Sequence, residues 1–173
     1  MKNILLLGAT GSIGKSVLSV IEQNDQKLNL FGISFNKNIL RGREIIEKFH
    51  PSFAHIENLD LYKENISSED CSYLNNLSEL EDLINHQDVD IIVCAISGFA
   101  GLKATYIAAS SGKKILLANK ESIVSGGDLI IPLAKENNSE IIPIDSEHNA
   151  IFQCLSGEKG VDDVQKISIT ASG

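Results

Sequence analysis

The sequence has 173 residues, 43% of them hydrophobic and 22% charged, with a formal net charge of −8 at pH 7. A chain of that length and composition can bury a core without disulfides and is not intrinsically disordered. The acidic balance sets aside nucleic acid and acidic membrane surfaces as main partners, while leaving room for one local basic pocket.

In chain order, apolar strand-like runs alternate with helix-like stretches. Lys2–Leu7 reads as a first strand, stopped by Gly8. Ser12–Gln23 spaces Ile13, Val17, Val20 and Ile21 along one helical face. Leu28–Phe35 is a second strand, and Leu40–Phe49 a second helix that ends at His50-Pro51, because the residue before proline disfavours helical geometry. Phe53–Leu77 is expected to hold two short strands around a short helix. Ser78–Asn85 opens with Ser78-x-x-Glu81, the pattern of a capping box. Val89–Ala95 is β-branched almost throughout, as in a strand buried on both faces. Leu102–Ser110 is helical, with Leu102, Tyr106 and Ala109 on one face and Gly112 as its stop. Lys114–Leu117 is a strand, and Asp128–Glu136 a helix with Asp128 near its positive end. Glu140–Ile144, Ala150–Leu155 and Val164–Ala171 complete the order as strand, helix and strand.

Repeated β-α-β units imply a doubly wound, mostly parallel α/β sheet of the Rossmann type, because parallel strands need crossover connections. Residues 1–143 form that unit, and residues 144–173 are expected to begin a second domain. Cys71, Cys94 and Cys154 lie far apart with no C-x-x-C pair, which suits reduced thiols in the cytoplasm. The apolar runs at the N-terminus and at Ile91–Ile96 are too short for a signal peptide or a membrane span.

Ligands of such sheets bind beyond the carboxyl ends of the strands, and the chemistry-bearing motifs fall there. Gly8-Ala9-Thr10-Gly11-Ser12-Ile13-Gly14 joins the first strand to the first helix. Glycines let the backbone approach a pyrophosphate, and the helix start offers free N–H groups to it. The bland reading is a tight turn without a ligand. After the second strand, where an NAD site carries an acid for the ribose, the sequence reads Asn36-Lys37-Asn38 with Arg41 and Arg43 behind. Lys37 there favours NADP; the alternative is a solvated basic surface.

Ala118-Asn119-Lys120-Glu121-Ser122 follows a buried strand. Lys120 can hold a substrate oxygen, with Asn119 and Glu121 at the nicotinamide ribose. A charged helix start explains the same residues. Pro143-Ile144-Asp145-Ser146-Glu147-His148-Asn149 puts two carboxylates two residues apart. In an extended segment both point the same way and suit Mg²⁺ or Mn²⁺; a polar turn capping the next helix is the competing reading. Thr170-Ala171-Ser172-Gly173 is either an anion-binding end or a frayed one.

Together, GATGSIG, Leu116–Ser122 (LLANKES), Ile144–Gln153 (IDSEHNAIFQ) and the final ITASG resemble the 1-deoxy-D-xylulose-5-phosphate reductoisomerase family, in its order and spacing. The resemblance implies a homodimeric enzyme that uses NADPH and Mg²⁺, Mn²⁺ or Co²⁺. It rearranges 1-deoxy-D-xylulose 5-phosphate, a small phosphorylated sugar, and reduces the product to 2-C-methyl-D-erythritol 4-phosphate in non-mevalonate isoprenoid synthesis. It assigns cofactor contacts to Thr10, Gly11, Ser12, Ile13, Lys37, Asn38, Asn119 and Glu121. Lys120, Ser146, Glu147 and Ser172 match substrate-binding positions, with Lys120 and Glu147 in the catalytic role, and Asp145 and Glu147 match metal ligands. Family members are longer, so this chain is expected to be an N-terminal fragment that binds NADPH without turnover. A semialdehyde or homoserine dehydrogenase is the alternative enzyme, although no cysteine here has a nucleophile's context. A non-enzymatic NADP-binding module is the other alternative, and it has no need of the Asp145–Glu147 pair.

Overall fold

The computed structural model describes residues 1–57, 71–155 and 164–168. Strands β1 (Lys2–Leu7), β2 (Leu28–Phe35), β3 (Phe53–Ile56), β4 (Ser72–Leu74), β5 (Ile91–Cys94), β6 (Lys114–Leu117) and β7 (Glu140–Pro143) alternate with helices. These are α1 (Ser12–Gln23), α2 (Ile39–Phe49), α3 (Leu77–Asn85), α4 (Leu102–Ala109), α5 (Lys120–Glu136) and α6 (Ser146–Leu155). The strands form one sheet in the order β4-β3-β2-β1-β5-β6-β7. Every neighbouring pair is parallel. The chain therefore starts mid-sheet at β1, builds outward to β4, crosses back to β5 and builds outward on the other side.

Side chains alternate across a strand, so β1 feeds two cores. Ile4 and Leu6 pack with Leu18 and Ile21 of α1 and with Ile45 and Ile46 of α2. Leu5 and Leu7 pack on the other face with Leu80, Leu83 and Ile84 of α3 and with Ile107 and Ala108 of α4. A smaller cluster of Ala109, Ile130 and Ala134 joins α4 to α5. Because all strands run the same way, the loops after β1, β2, β5, β6 and β7 share one crest.

Several boundaries differ from expectation, each for a local reason. The capping box of α3 is Asn76 with Glu79, not Ser78 with Glu81. The Asn76 side chain accepts from the Glu79 amide at 2.9 Å, and the Glu79 carboxylate accepts from the Asn76 amide at 3.2 Å. Asparagine caps as well as serine, and starting at Leu77 turns Leu80, Leu83 and Ile84 inward. Helix α5 begins at Lys120, which leaves Asp128 in mid-helix. A Cβ on Gly126 would stand 3.0 Å from Leu102, so the glycine admits close packing of α4. In α1 the inner face is centred on Gly14, Leu18 and Ile21, with Val20 turned outward. In α4 Tyr106 also faces outward, and Ala104, Thr105 and Ile107–Ala109 are the buried residues. Helix α6 starts at Ser146, not Ala150. Residues 164–168 carry no strand, and the rest of that expected strand, like the short helix within Phe53–Leu77, lies outside the described residues.

Candidate functional site

The order of strands reverses between β1 and β5, and the glycine loop sits at that reversal. Gly8 has φ +87°, a left-handed conformation that glycine adopts without strain. A Cβ there would stand 2.6 Å from the Ala95 carbonyl oxygen, so the loops after β1 and β5 touch backbone to backbone. A Cβ on Gly14 would collide with the Ala9 carbonyl, which lets α1 start hard against the loop. The N-cap of α1, Gly11, supplies no side-chain cap. The amides of Ser12, Ile13 and Gly14 thus have no protein acceptor among the described residues. Uncapped amides and the positive helix end form an anion site.

On the other side of the loop stands the end of β2. The buried Ser34 accepts twice from the Gly8 amide, through its carbonyl and its hydroxyl, each at 3.1 Å, and its carbonyl also accepts from Ala9 at 2.9 Å. Asn38 caps α2, accepting from the Arg41 amide at 3.2 Å. Arg41 and Arg43 are tied to Glu44 and Glu47 along α2 at 2.7 and 2.8 Å. Lys37 is exposed and has no ion pair among the described residues, so of the three basic side chains it alone remains free at the crest. The sequence offers no acid just after β2, but the structure brings one from the neighbouring strand: Asn36 donates to the Glu57 carboxylate at 2.5 Å.

Asn119 lies between β6 and α5, only 2% exposed. Its side-chain oxygen accepts from the amide and the hydroxyl of Ser122, both at 2.7 Å. Its amide nitrogen donates to the carbonyls of Ile96 and Gly98, the latter at 2.8 Å. An amide side chain has two donors and two lone pairs, so every one is used internally. Lys120 and Glu121, the first two residues of α5, are exposed at the crest.

Beyond β7, Asp145 and Glu147 are not in an extended segment. Asp145 precedes α6 and Glu147 lies in its first turn. Asp145 is oriented by His148, whose Nδ1 is 2.8 Å from both carboxylate oxygens. Glu147 receives the Ser146 hydroxyl at 2.9 Å and faces the Lys120 ammonium at 3.7 Å. Its own backbone amide first, then Ser146 and Lys120, hold its carboxyl below the usual range. Among the described residues no group of three or more metal-ligating side chains is assembled. Ser172 lies outside the described residues.

The structure therefore brings Thr10, Gly11, Ser12, Ile13, Lys37, Asn38, Asn119, Lys120, Glu121, Asp145, Ser146 and Glu147 to one crest. Sequence reasoning missed Ser34 and Glu57, neither of which had a local signal, whereas His148's hold on Asp145 accords with its place three residues on, across a helix start.

A parallel sheet whose order reverses beside a glycine loop and an uncapped helix defines a doubly wound, Rossmann-like α/β protein. Comparison with known proteins narrows this. The family described as "1-deoxy-D-xylulose 5-phosphate reductoisomerase" matches residues 4–127, and its C-terminal domain matches residues 141–173. The chain belongs to the 1-deoxy-D-xylulose 5-phosphate reductoisomerase family. It is 44% identical over 176 residues to the enzyme of that name from Vesicomyosocius okutanii subsp. Calyptogena okutanii, and covers 45% of that protein's length. A solved DOX-P reductoisomerase in complex with NADPH, fosmidomycin and magnesium matches 94% of this chain and 41% of its own, with 37% identity and a TM-score of 0.86. Staphylococcus aureus homoserine dehydrogenase, at 20% identity and a TM-score of 0.51 over 83% of this chain and 32% of its own, shares the fold alone.

Proposed function

We propose that this chain binds NADPH across its crest and carries part of the active site of an enzyme that converts 1-deoxy-D-xylulose 5-phosphate to 2-C-methyl-D-erythritol 4-phosphate. The observation that supports it best is the uncapped first turn of α1 behind a glycine loop in which a Cβ at Gly8 or Gly14 would collide with backbone. The amides of Ser12, Ile13 and Gly14 suit the pyrophosphate. Thr10 and Gly11 bound it, and the free Lys37 suits the adenosine phosphate, with Asn38 shaping the turn beside it. NADPH supplies hydride when bound, and a divalent cation supplies Lewis acidity.

The donors near α6 fit such a cation. Asp145 and Glu147 are hard oxygen ligands at the start of one helix, and His148 already fixes the orientation of Asp145. Lys120 adds a positive charge beside them, which stabilises negative charge on a substrate oxygen. Ser146 and Glu147 line the same place for the sugar phosphate, and Glu121 reaches toward the cofactor side from the first turn of α5. Ser172 completes the substrate set from the family resemblance.

The reading carries with it residues 1–143 as the cofactor-binding unit, residues 144–173 as the start of the catalytic one, a homodimer and a cytoplasmic location. No described helix is long and apolar enough to cross a membrane. The net charge of −8 gives no surface for nucleic acid.

Titration of the protein with NADPH, followed by nicotinamide fluorescence, is expected to saturate; a linear, unsaturable signal overturns the cofactor reading. A version extended to the relatives' length is expected to oxidise NADPH only when both the sugar phosphate and a divalent cation are present.

A further inference from the structure

We infer that Glu57 is a specificity-determining residue at the adenosine end of the site. Held beside the end of β2 by Asn36, its carboxylate accepts a free ribose 2′-hydroxyl and opposes a 2′-phosphate. The inference rests on the NADPH reading above and names the residue that competes with Lys37 there.

The sheet delivers the acid. Strands β2 and β3 pair in parallel with Phe35 opposite Ile56, so Asn36 and Glu57 are the first residues past two adjacent strands. Neighbouring strands lie about 4.8 Å apart, which brings a side chain at the end of one within reach of the other. The Asn36 side-chain amide donates to Glu57 Oε2 at 2.5 Å. An NAD site carries its ribose-binding acid just after the second strand. Here an amide stands at that place, and the carboxylate lies one hydrogen bond beyond it. Asn36 engages one of the two carboxylate oxygens. The other, Oε1, has no hydrogen bond among the described residues and is open to a hydroxyl.

The pair also stands in the right relation to the pyrophosphate. Ser34, two residues before Asn36, accepts from the Gly8 and Ala9 amides, so the end of β2 is fastened to the glycine loop. Asn36, Lys37 and Glu57 are all exposed at the crest. Two other acids near this end of the site are committed, Glu44 to Arg41 and Glu47 to Arg43. Neither Glu57 nor Lys37 has an ion pair among the described residues. The crest thus offers one uncommitted base and one uncommitted acid to the same ribose. A 2′-phosphate draws on the base, whereas a ribose with only hydroxyls donates to the acid. Water screens exposed charges, so each shifts affinity severalfold and not by orders of magnitude.

Fluorescence titrations with NADPH and with NADH separate the two effects. They compare the wild type with Glu57→Gln, Asn36→Ala and the double variant. Glu136→Gln serves as the control, because it removes the same charge from the last residue of α5, at the opposite end of that helix from the crest.

The wild type is expected to saturate with both nucleotides, NADH being the weaker. Glu57→Gln should weaken NADH about fivefold while tightening NADPH about two- to threefold, so the preference moves about tenfold. Asn36→Ala should weaken NADH about threefold. The double variant should bind NADH no worse than Glu57→Gln alone, because both changes remove one contact. Glu136→Gln should leave the preference within about twofold of the wild type. Unchanged NADH affinity in Glu57→Gln overturns the inference, since the acid then touches no ribose. Equal changes for the two nucleotides overturn it too, as does a Glu136→Gln shift as large as that of Glu57→Gln, which assigns the effect to net charge. If Glu57→Gln does not fold, Asn36→Ala decides, and unchanged NADH affinity in it overturns the inference. A wild type that saturates with NADPH and not with NADH also overturns it, with the NADPH reading intact. A wild type that saturates with neither defeats that reading, and this inference with it.

Discussion

The Ser34 hydroxyl accepts from the Gly8 amide at 3.1 Å, so the end of β2 holds the turn that leaves β1. The turn needs this support because Gly8 sits at φ +87° with the Ala95 carbonyl pressed against its Cα. Gly8→Ala is expected to cost more than Ser34→Ala. A non-glycine residue in the left-handed region costs about 1–2 kcal/mol before any clash is counted. One lost neutral hydrogen bond costs about 1 kcal/mol. At roughly 2–4 °C per kcal/mol for a chain of this size, Ser34→Ala should melt a few degrees low and Gly8→Ala clearly lower. A Gly8→Ala variant that melts with the wild type would show that the loop can relax away from Ala95.

Lys37 decides between cofactors in the proposed site. Arg41 and Arg43 are already paired along α2, which leaves Lys37 as the charge free to meet a phosphate. Lys37→Ala should weaken NADPH binding about tenfold, near 1.4 kcal/mol, and leave NADH binding almost unchanged. Glu57→Gln should act oppositely and less, tightening NADPH about two- to threefold, because an exposed charge is screened. Parallel fluorescence titrations with the two nucleotides read both effects. Equal losses for NADPH and NADH in Lys37→Ala would place the adenosine phosphate elsewhere.

Much of this was legible in the residues. The bounds of β1, α1, β2 and β6 follow from apolar runs and their stops, since local chemistry alone fixes them. What was hidden depended on distant partners. Helix α5 runs from Lys120, ahead of the expected Asp128, with Gly126 packed against Leu102. The side-chain nitrogen of Asn119 is held by Ile96 and Gly98, more than twenty positions earlier in the chain. Glu57 reaches the end of β2 only because β3 pairs beside it in register, Phe35 against Ile56. Asp145 and Glu147 were matched by motif, but the extended-segment argument for them fails because α6 begins at Ser146.

The three thiols differ in environment and should differ in reactivity. Burial pushes the Cys94 thiol up to about 12, slightly offset by Thr105. Burial likewise pushes Cys71 up to about 11, against a smaller opposing effect of Tyr73. Thiolate is the reacting form, so neither should react in the folded protein near pH 8. Cys154 is exposed on α6. A chromogenic disulfide reagent is expected to titrate one thiol at native rates and all 3 in denaturant. A second fast thiol would show that one face of the sheet opens readily.

His55 gives the fold a dependence on mild acid. It is buried in β3, and its Nε2 is 3.0 Å from the Asn76 carbonyl at the cap of α3. A carbonyl only accepts, so Nε2 carries the proton and Nδ1 is the atom left to titrate. Desolvation lowers the pKa of His55 below its ordinary 6.5, while the Asn76 bond and the charges of Glu57 and Glu79 oppose that shift. Above the ordinary value both folded and unfolded chains are neutral at this residue. Below it the unfolded chain takes up the proton first, so acidification favours unfolding until the folded-state value is passed. The carboxylates act lower. Glu79, held down by the Asn75 and Asn76 amides, and Asp90, held down by Lys2 and the Asn3 amide, stabilise the fold above the ordinary carboxylate range. That contribution is lost only as pH falls through their depressed values. Melting temperature is therefore expected to begin falling just below pH 6.5, ahead of the carboxylate window. His55→Gln keeps a donor for Asn76 without a titrating nitrogen, so its melting temperature should stay flat between about pH 7 and 5.5. A variant with the same slope as the wild type would assign that early loss to another residue.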